Sequence, residues 1–160
     1  MPRGRSDLER MVDIDADPKL VDNILYVATY QGHVAALSLH TGEVIWTRDV
    51  SSYAGIAVDA KNVYVTDDAS DVWALDRRTG ASVWKQDKLK ARSLSGPAAV
   101  DGYVVVGDYA GYVHWLRADD GQFAARTHED DSRIISAPIV AGDLVLVYSS
   151  GGKLIAYRKR

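Results

Sequence analysis

Four potential metal ligands stand in a row at His128-Glu129-Asp130-Asp131. Chelation needs side chains that converge, whereas adjacent residues of an extended chain point to opposite sides. No second ligand set follows at a recognisable spacing, so this run is expected to be a solvated loop without a metal. Asp67-Asp68-Ala69-Ser70-Asp71 falls short of a calcium loop, lacking the alternating acids, the central glycine and the closing glutamate. It reads as a polar hairpin tip. For acyl transfer the chain offers serines and histidines but no Gly-x-Ser-x-Gly elbow, and it has no cysteine to act as a thiol nucleophile. His33 and His114 are expected to serve packing or the surface. Tyr109, Tyr112 and Trp115 are expected to form an aromatic core cluster around one hairpin. No catalytic residue, metal or cofactor is expected. A more specific pattern runs from Val12 to Asp17, where Val12, Ile14 and Ala16 alternate with Asp13, Asp15 and Asp17. An extended backbone would present those three carboxylates on one side, where the residues alone suit acids that cap turns or keep an exposed strand soluble as well as a contact surface.

The elements that would carry these residues repeat along the chain. Val34-Ala35-Ala36-Leu37-Ser38-Leu39-His40-Thr41-Gly42-Glu43-Val44-Ile45-Trp46 returns as Val72-Trp73-Ala74-Leu75-Asp76-Arg77-Arg78-Thr79-Gly80-Ala81-Ser82-Val83-Trp84. It comes back, weakened, from Val113 to Gly121, and its opening appears again at Leu154-Ile155-Ala156-Tyr157. The glycines at 42, 80 and 121 are about forty residues apart, the length of one four-stranded propeller blade. Within each unit three turn signals separate short runs; in the second these are Lys61-Asn62, Ser70-Asp71 and Thr79-Gly80. Three turns between four β-branched runs describe an antiparallel meander. The runs Val63-Tyr64-Val65 and Tyr103-Val104-Val105-Val106 are continuously apolar, as suits strands covered on both faces by neighbouring blades.

The fold class expected is therefore all-β, about four blades of a β-propeller, half of an eight-bladed ring. Residues 1–16 form an N-terminal connection, and the blades fall at about 17–53, 54–94, 95–135 and 136–160, the last incomplete. Trp46 and Trp84 share a place on the outermost strand, four residues beyond Gly42 and Gly80, and are expected to dock blade on blade with Gly42, Gly80 and Gly121 shaping the turns. The third unit has Ala125 at that place, so its docking should be looser or its gap filled from elsewhere. The fourth unit ends without an outer strand. Either Leu8 to Ala16 supplies it, or two chains pair through their open blade edges.

Composition narrows the partners. A net charge of −3 gives no polyanion-binding signature, so nucleic acid is not expected. With 47% apolar residues a core can form, and no apolar run is long enough to span a bilayer as a helix. The acid-rich first twenty residues lack the apolar stretch of a signal peptide.

The pattern Ala-Leu-Asp-x-x-Thr-Gly-x-x-x-Trp, clearest from Ala74 to Trp84, resembles the repeat of quinoprotein-type β-propellers. Within that group the stretches Leu8 to Pro18 and Val106 to Trp115, with the basic C-terminus, resemble the second half of BamB-like lipoproteins, subunits of the machinery that assembles outer-membrane β-barrels. The resemblance implies a non-catalytic scaffold on the periplasmic face of the outer membrane. It also implies contact with the periplasmic domains of a BamA-type barrel protein, with Asp13, Asp15 and Arg10 on the contact surface. Aligned on Pro18, Ile56, Pro97 and Pro138, the repeat places Ser51, Arg92 and Arg133 where the first unit has Asp13, and Tyr53, Leu94 and Ile135 where it has Asp15. Membrane association in such proteins runs through a lipid-modified cysteine that this chain lacks, so Met1 reads as a fragmentary start and Arg160 as a natural end. Two other readings share the repeat. One is a fragment of a quinoprotein dehydrogenase, which would need pyrroloquinoline quinone, calcium and vicinal cysteines; the other is a ligand-binding propeller module.

Overall fold

The computed structural model describes residues 16–29, 32–52 and 54–158. Every regular element among them is a β-strand, and the strands form four separate antiparallel sheets in chain order. Blade 1 comprises β1 (Lys19–Val21), β2 (Ile24–Thr29), β3 (His33–Ser38) and β4 (Val44–Asp49). Blade 2 comprises β5 (Ile56–Val58), β6 (Asn62–Thr66), β7 (Val72–Asp76) and β8 (Ser82–Gln86). Blade 3 comprises β9 (Ala98–Val100), β10 (Tyr103–Gly107), β11 (Tyr112–Arg117) and β12 (Phe123–His128). Blade 4 has β13 (Ile139–Ala141), β14 (Leu144–Tyr148) and β15 (Leu154–Arg158). Each strand pairs with the next, so every blade is a meander.

The sequence explains both the strands and their order. The second strand of blade 2, Asn62 to Thr66, is buried at every residue, because blades 1 and 3 cover its two faces. Three apolar cores lie between successive blades. The first joins Tyr26, Val34 and Trp46 to Ile56, Val63 and Leu75. The second joins Tyr64, Val72 and Ala74 to Val104, Val106 and Leu116, and the third joins Val105 and Val113 to Val145 and Val147. The core is thus a series of sandwiched layers, with the short strands β1, β5, β9 and β13 neighbouring one another on the inner side.

The third and fourth strands of each complete blade are joined by one device. Gly42, Gly80 and Gly121 each have φ near +71° and donate their N–H at 2.8 Å to Ser38, Asp76 and Arg117 carbonyls respectively. A left-handed residue closing such a turn favours glycine, which has no Cβ to clash. Just beyond each turn the register shifts at the same place: Ala36/Leu37, Ala74/Leu75 and Trp115/Leu116. The Asp76 carboxylate accepts from the Thr79 and Arg78 amides at 2.9 Å, and these bonds, the Thr79 amide first, hold it below the usual carboxylate range.

Both outer flanks of the array are apolar. On blade 4, Ile139 and Leu154 are 64% and 65% exposed, with Ile135 and Tyr148 also open; on blade 1, Leu20, Leu39 and Ile45 are exposed. Blade 4 has three strands among the described residues, and β15 is its edge. The segment expected to complete it, 8–16, lies outside the described residues except Ala16, which packs in the core between blades 1 and 2.

Candidate partner-binding face

In a meander, alternate connections fall at opposite ends of the sheet. One end of this array therefore gathers the tips joining second to third strands with the connectors that run from each blade to the next. Each tip begins with a polar residue that caps its own turn. Thr29 Oγ1 donates to the His33 carbonyl at 3.4 Å, and Asp67 Oδ1 accepts from the Ala69 and Asp71 amides at 3.0 and 2.8 Å. Asp108 Oδ1 accepts from the Ala110 and Tyr112 amides at 2.9 and 3.0 Å, and Ser149 Oγ from the Lys153 amide at 3.2 Å. These side chains replace backbone partners that a tight loop cannot supply.

The connectors are laced to the tips by a bond that recurs in register. The Ser51 carbonyl accepts from Asp68 N–H at 3.0 Å, the Arg92 carbonyl from Tyr109 N–H at 3.0 Å, and the Arg133 carbonyl from Ser150 N–H at 2.8 Å. Leu94 N–H also bonds Ser70 Oγ at 3.3 Å. The polar run 67–71 is a hairpin tip, as expected, and the overlying connector buries Ser70 and Asp71 within it. Loops tied in this way form a fixed surface.

The candidate contact residues Arg10, Asp13 and Asp15 lie outside the described residues. Their chain joins the described structure at buried Ala16, and Asp17 and Lys19 then line a groove along the inner strands with Ala54 to Val58 and Pro97 to Ala99.

The two tryptophans lie between blades. Trp46 Nε1–H donates to the Arg77 carbonyl of blade 2 at 2.9 Å, and Trp84 Nε1–H to the Ala118 carbonyl of blade 3 at 2.8 Å. Their rings cover Gly80 and Gly121: a Cβ on either glycine would fall 2.5 or 2.4 Å from the indole. Gly42 has the same backbone conformation, and a Cβ there would meet no described atom within 4 Å. The cross-strand partner of each tryptophan is an alanine, Ala36 opposite Trp46 and Ala74 opposite Trp84. In blade 3 the pair is transposed, with Trp115 on β11 opposite Ala125 on β12. Trp115 thereby fills its side of the blade from the neighbouring strand, meeting Tyr103 and Tyr157 edge-on at 6.4 and 5.8 Å.

The expected cluster of Tyr109, Tyr112 and Trp115 does not exist. Tyr112 and Trp115 are three residues apart on one strand and so face opposite sides, and Tyr109 is 54% exposed at the tip. Tyr112 instead stacks on His128 at 4.3 Å. His33 pairs with Asp49 at 2.9 Å on the surface. The run 128–131 disperses: His128 bonds the Ala110 carbonyl and Asp131, Asp130 receives Ser149 Oγ–H, and the Glu129 carbonyl receives Lys153 Nζ–H. Among the described residues no three metal-ligating side chains converge.

A buried ionic group was not foreseen. Asp108, fully buried, receives Arg92 Nη1 at 2.6 Å and His114 Nε2 at 2.8 Å on one oxygen. Burial alone would raise its pKa, but the bonds from His114, the Tyr112 amide, Arg92 and the Ala110 amide together hold it below the usual carboxylate range. Its signal was present in the repeat: Asp67 occupies the same place in blade 2 and receives Trp73 Nε1–H at 2.8 Å, six residues on, as His114 is from Asp108.

Comparisons with known proteins agree with this architecture. The family described as outer membrane protein assembly factor BamB matches residues 1–86 and again 82–160. The outer membrane protein assembly factor BamB of Pseudomonas aeruginosa is 44% identical over all of this chain, which spans 42% of it; that of Alkalilimnicola ehrlichii is 41% identical over 99% of the chain, which spans 41% of it. The crystal structure of BamB from Moraxella catarrhalis superposes with a TM-score of 0.87 at 28% identity, covering 99% of this chain and 47% of that one. The chain thus spans about two-fifths of the length of these curated relatives.

Proposed function

Since the chain belongs to the outer membrane protein assembly factor BamB family, we propose that it acts as part of a non-catalytic scaffold in outer-membrane β-barrel assembly, on the periplasmic side of that membrane. The carrying observation is the family match along the whole chain, on an array whose loops are held by recurring bonds. Blade docking through Trp46 and Trp84 supplies rigidity, and a few loop residues supply affinity.

The partner read here is the periplasmic part of a BamA-type barrel protein, with Asp13, Asp15 and Arg10 as contacts. Support comes from the repeat. Asp13 stands at the position of Ser51, Arg92 and Arg133, whose carbonyls all anchor the tips of one face. In the sequence repeat the first unit thus carries an acid where the other units have Ser51, Arg92 and Arg133. Titration of the BamA-type periplasmic domains onto the protein and onto Asp13→Ala/Asp15→Ala should show a loss of at least about tenfold in affinity. Unchanged affinity in a folded variant rejects these contacts. The exposed flanks of blades 1 and 4 call for cover by further blades; for this chain alone we infer pairing with a second copy, which a strictly monomeric mass at high concentration would refute. A quinoprotein dehydrogenase reading is not favoured, because the relatives are named as assembly factors.

A further inference from the structure

Blade 3 gathers positive charge on its outer side in a protein whose net charge is −3. A cleft of about 410 Å³ lies between the connector that enters the blade and its outermost strand, lined by Lys88, Leu89, Arg92, His114, Phe123 and Arg126 together with two alanines. No acid lines it. Asp108 lies buried against Arg92 and His114, and its outer oxygen is already shared between them. Lys88 and Arg126 form no ion pair among the described residues; the Arg126 guanidinium stands 4.9 Å from the Tyr112 ring centre and that of Arg92 5.7 Å from the same ring. His114 is 2% exposed, and its Nδ1 has no hydrogen-bond partner among the described residues.

At the corresponding place in blade 2 the cation has its own counter-charge. Lys85, the counterpart of Arg126, is held at 2.6 Å by Asp71 and lies 4.5 Å over Trp73. In blade 3 the counterpart of Asp71 is Tyr112, that of Trp73 is His114, and that of Ser51 is Arg92. The carboxylate that holds this cation in blade 2 is absent, so Arg126, with Lys88 lining the same cleft, has no ion-pair partner among the described residues, while Arg92 is held by Asp108. Keeping like charges together in a half-apolar cleft is unfavourable unless an anion joins them.

We propose that this cleft binds a carboxylate side chain of an acidic peptide segment, held by Arg126 and Lys88 beside Arg92, with a neighbouring apolar residue of the peptide against Leu89 and Phe123. Guanidinium groups match the planar carboxylate, and the apolar lining distinguishes a side chain on a peptide from a free oxyanion. The site uses neither Asp13 nor Asp15, and it lies at the middle blades, away from both open flanks.

The test is NMR titration of the protein with a blocked pentapeptide alternating leucine and glutamate, beside its glutamine counterpart, inorganic phosphate, and vesicles containing anionic phospholipid. Saturable shifts of the amides at 88–92 and 123–126 with the glutamate peptide alone are expected. Lys88→Gln/Arg126→Gln should weaken that binding by about tenfold or more. Lys88→Gln alone, at an exposed side chain, should weaken it with no change in melting, while Asp13→Ala/Asp15→Ala leaves it unaltered. Equal response to the glutamine peptide, or full binding by the charge-removed variants, overturns the site. Saturation by phosphate or by vesicles at the same residues overturns the assignment to a peptide.

Discussion

Blades 2 and 3 share a strand order, a turn glycine at φ +71° and a register shift at one place, yet they differ at both positions where a blade meets its neighbour. Blade 2 keeps its tryptophan on the outermost strand, Trp84, and caps its tip with Asp67 bonded to Trp73. Blade 3 moves the tryptophan one strand inward, to Trp115, and caps its tip with an Asp108 that also neutralises Arg92 and His114. The total bulk of the tryptophan–alanine pair is unchanged by transposition, so the layer thickness survives. Charge is not conserved in the same way. The lesson is that a repeat constrains volume and backbone geometry at an interface while leaving the polar groups free to specialise.

Removing the tryptophans should break this comparison most severely. Trp84→Ala leaves both its space and the Ala118 carbonyl unfilled and should cost about 3–5 kcal/mol in urea denaturation, with Trp115→Ala in the same range. If Trp115→Ala were nearly neutral, the transposed residue would not be the equivalent of Trp84. Next comes Asp108→Asn, which strands the buried His114 and the part-buried Arg92 and should cost about 3 kcal/mol, against about 1 kcal/mol for Asp67→Asn, whose partners are neutral. The sign with pH follows from the lowered pKa of Asp108. Its stabilisation is complete above the carboxylate's unfolded value and disappears as pH falls through the lower folded value. The gap between wild type and Asp108→Asn should therefore narrow below about pH 4. A gap that instead widens in acid would contradict the ionised form.

Glycine substitutions sharpen the comparison further. Gly121→Ala drives a methyl into Trp84 and adds a left-handed strain, for about 2–3 kcal/mol in all, whereas Gly42→Ala should show only the backbone part, about 1 kcal/mol. Equal losses would mean that ring contact contributes nothing. At the small end, Arg117→Gln removes a surface pair with Asp120 and should leave the melting temperature unchanged.

Architecture was legible because it is periodic. The spacing of Gly42, Gly80 and Gly121 and the buried runs at Val63 and Tyr103 report strand count and sandwiching through local chemistry alone. What escaped depends on facing. Tyr112 and Trp115 look like neighbours in the sequence, but strand alternation separates them; Trp115 and Ala125 look unrelated, but the register places them opposite each other. The ionic group joins Arg92, Asp108 and His114 from a connector, a tip and a strand, and only the fold brings them within 3 Å. For Asp13 and Asp15 the sequence offers a break in the repeat, and their role is a matter for binding experiments.

The two indole bonds both run forward along the chain, Trp46 to Arg77 and Trp84 to Ala118. Blades 1 and 2 are thus latched by residues that are made later than their own last strands. During synthesis or threading from the N-terminus, a blade stays unlatched until roughly thirty more residues have emerged, and closure then advances in one direction like a zip. A stall after blade 2 would leave that blade open and blade 1 secured.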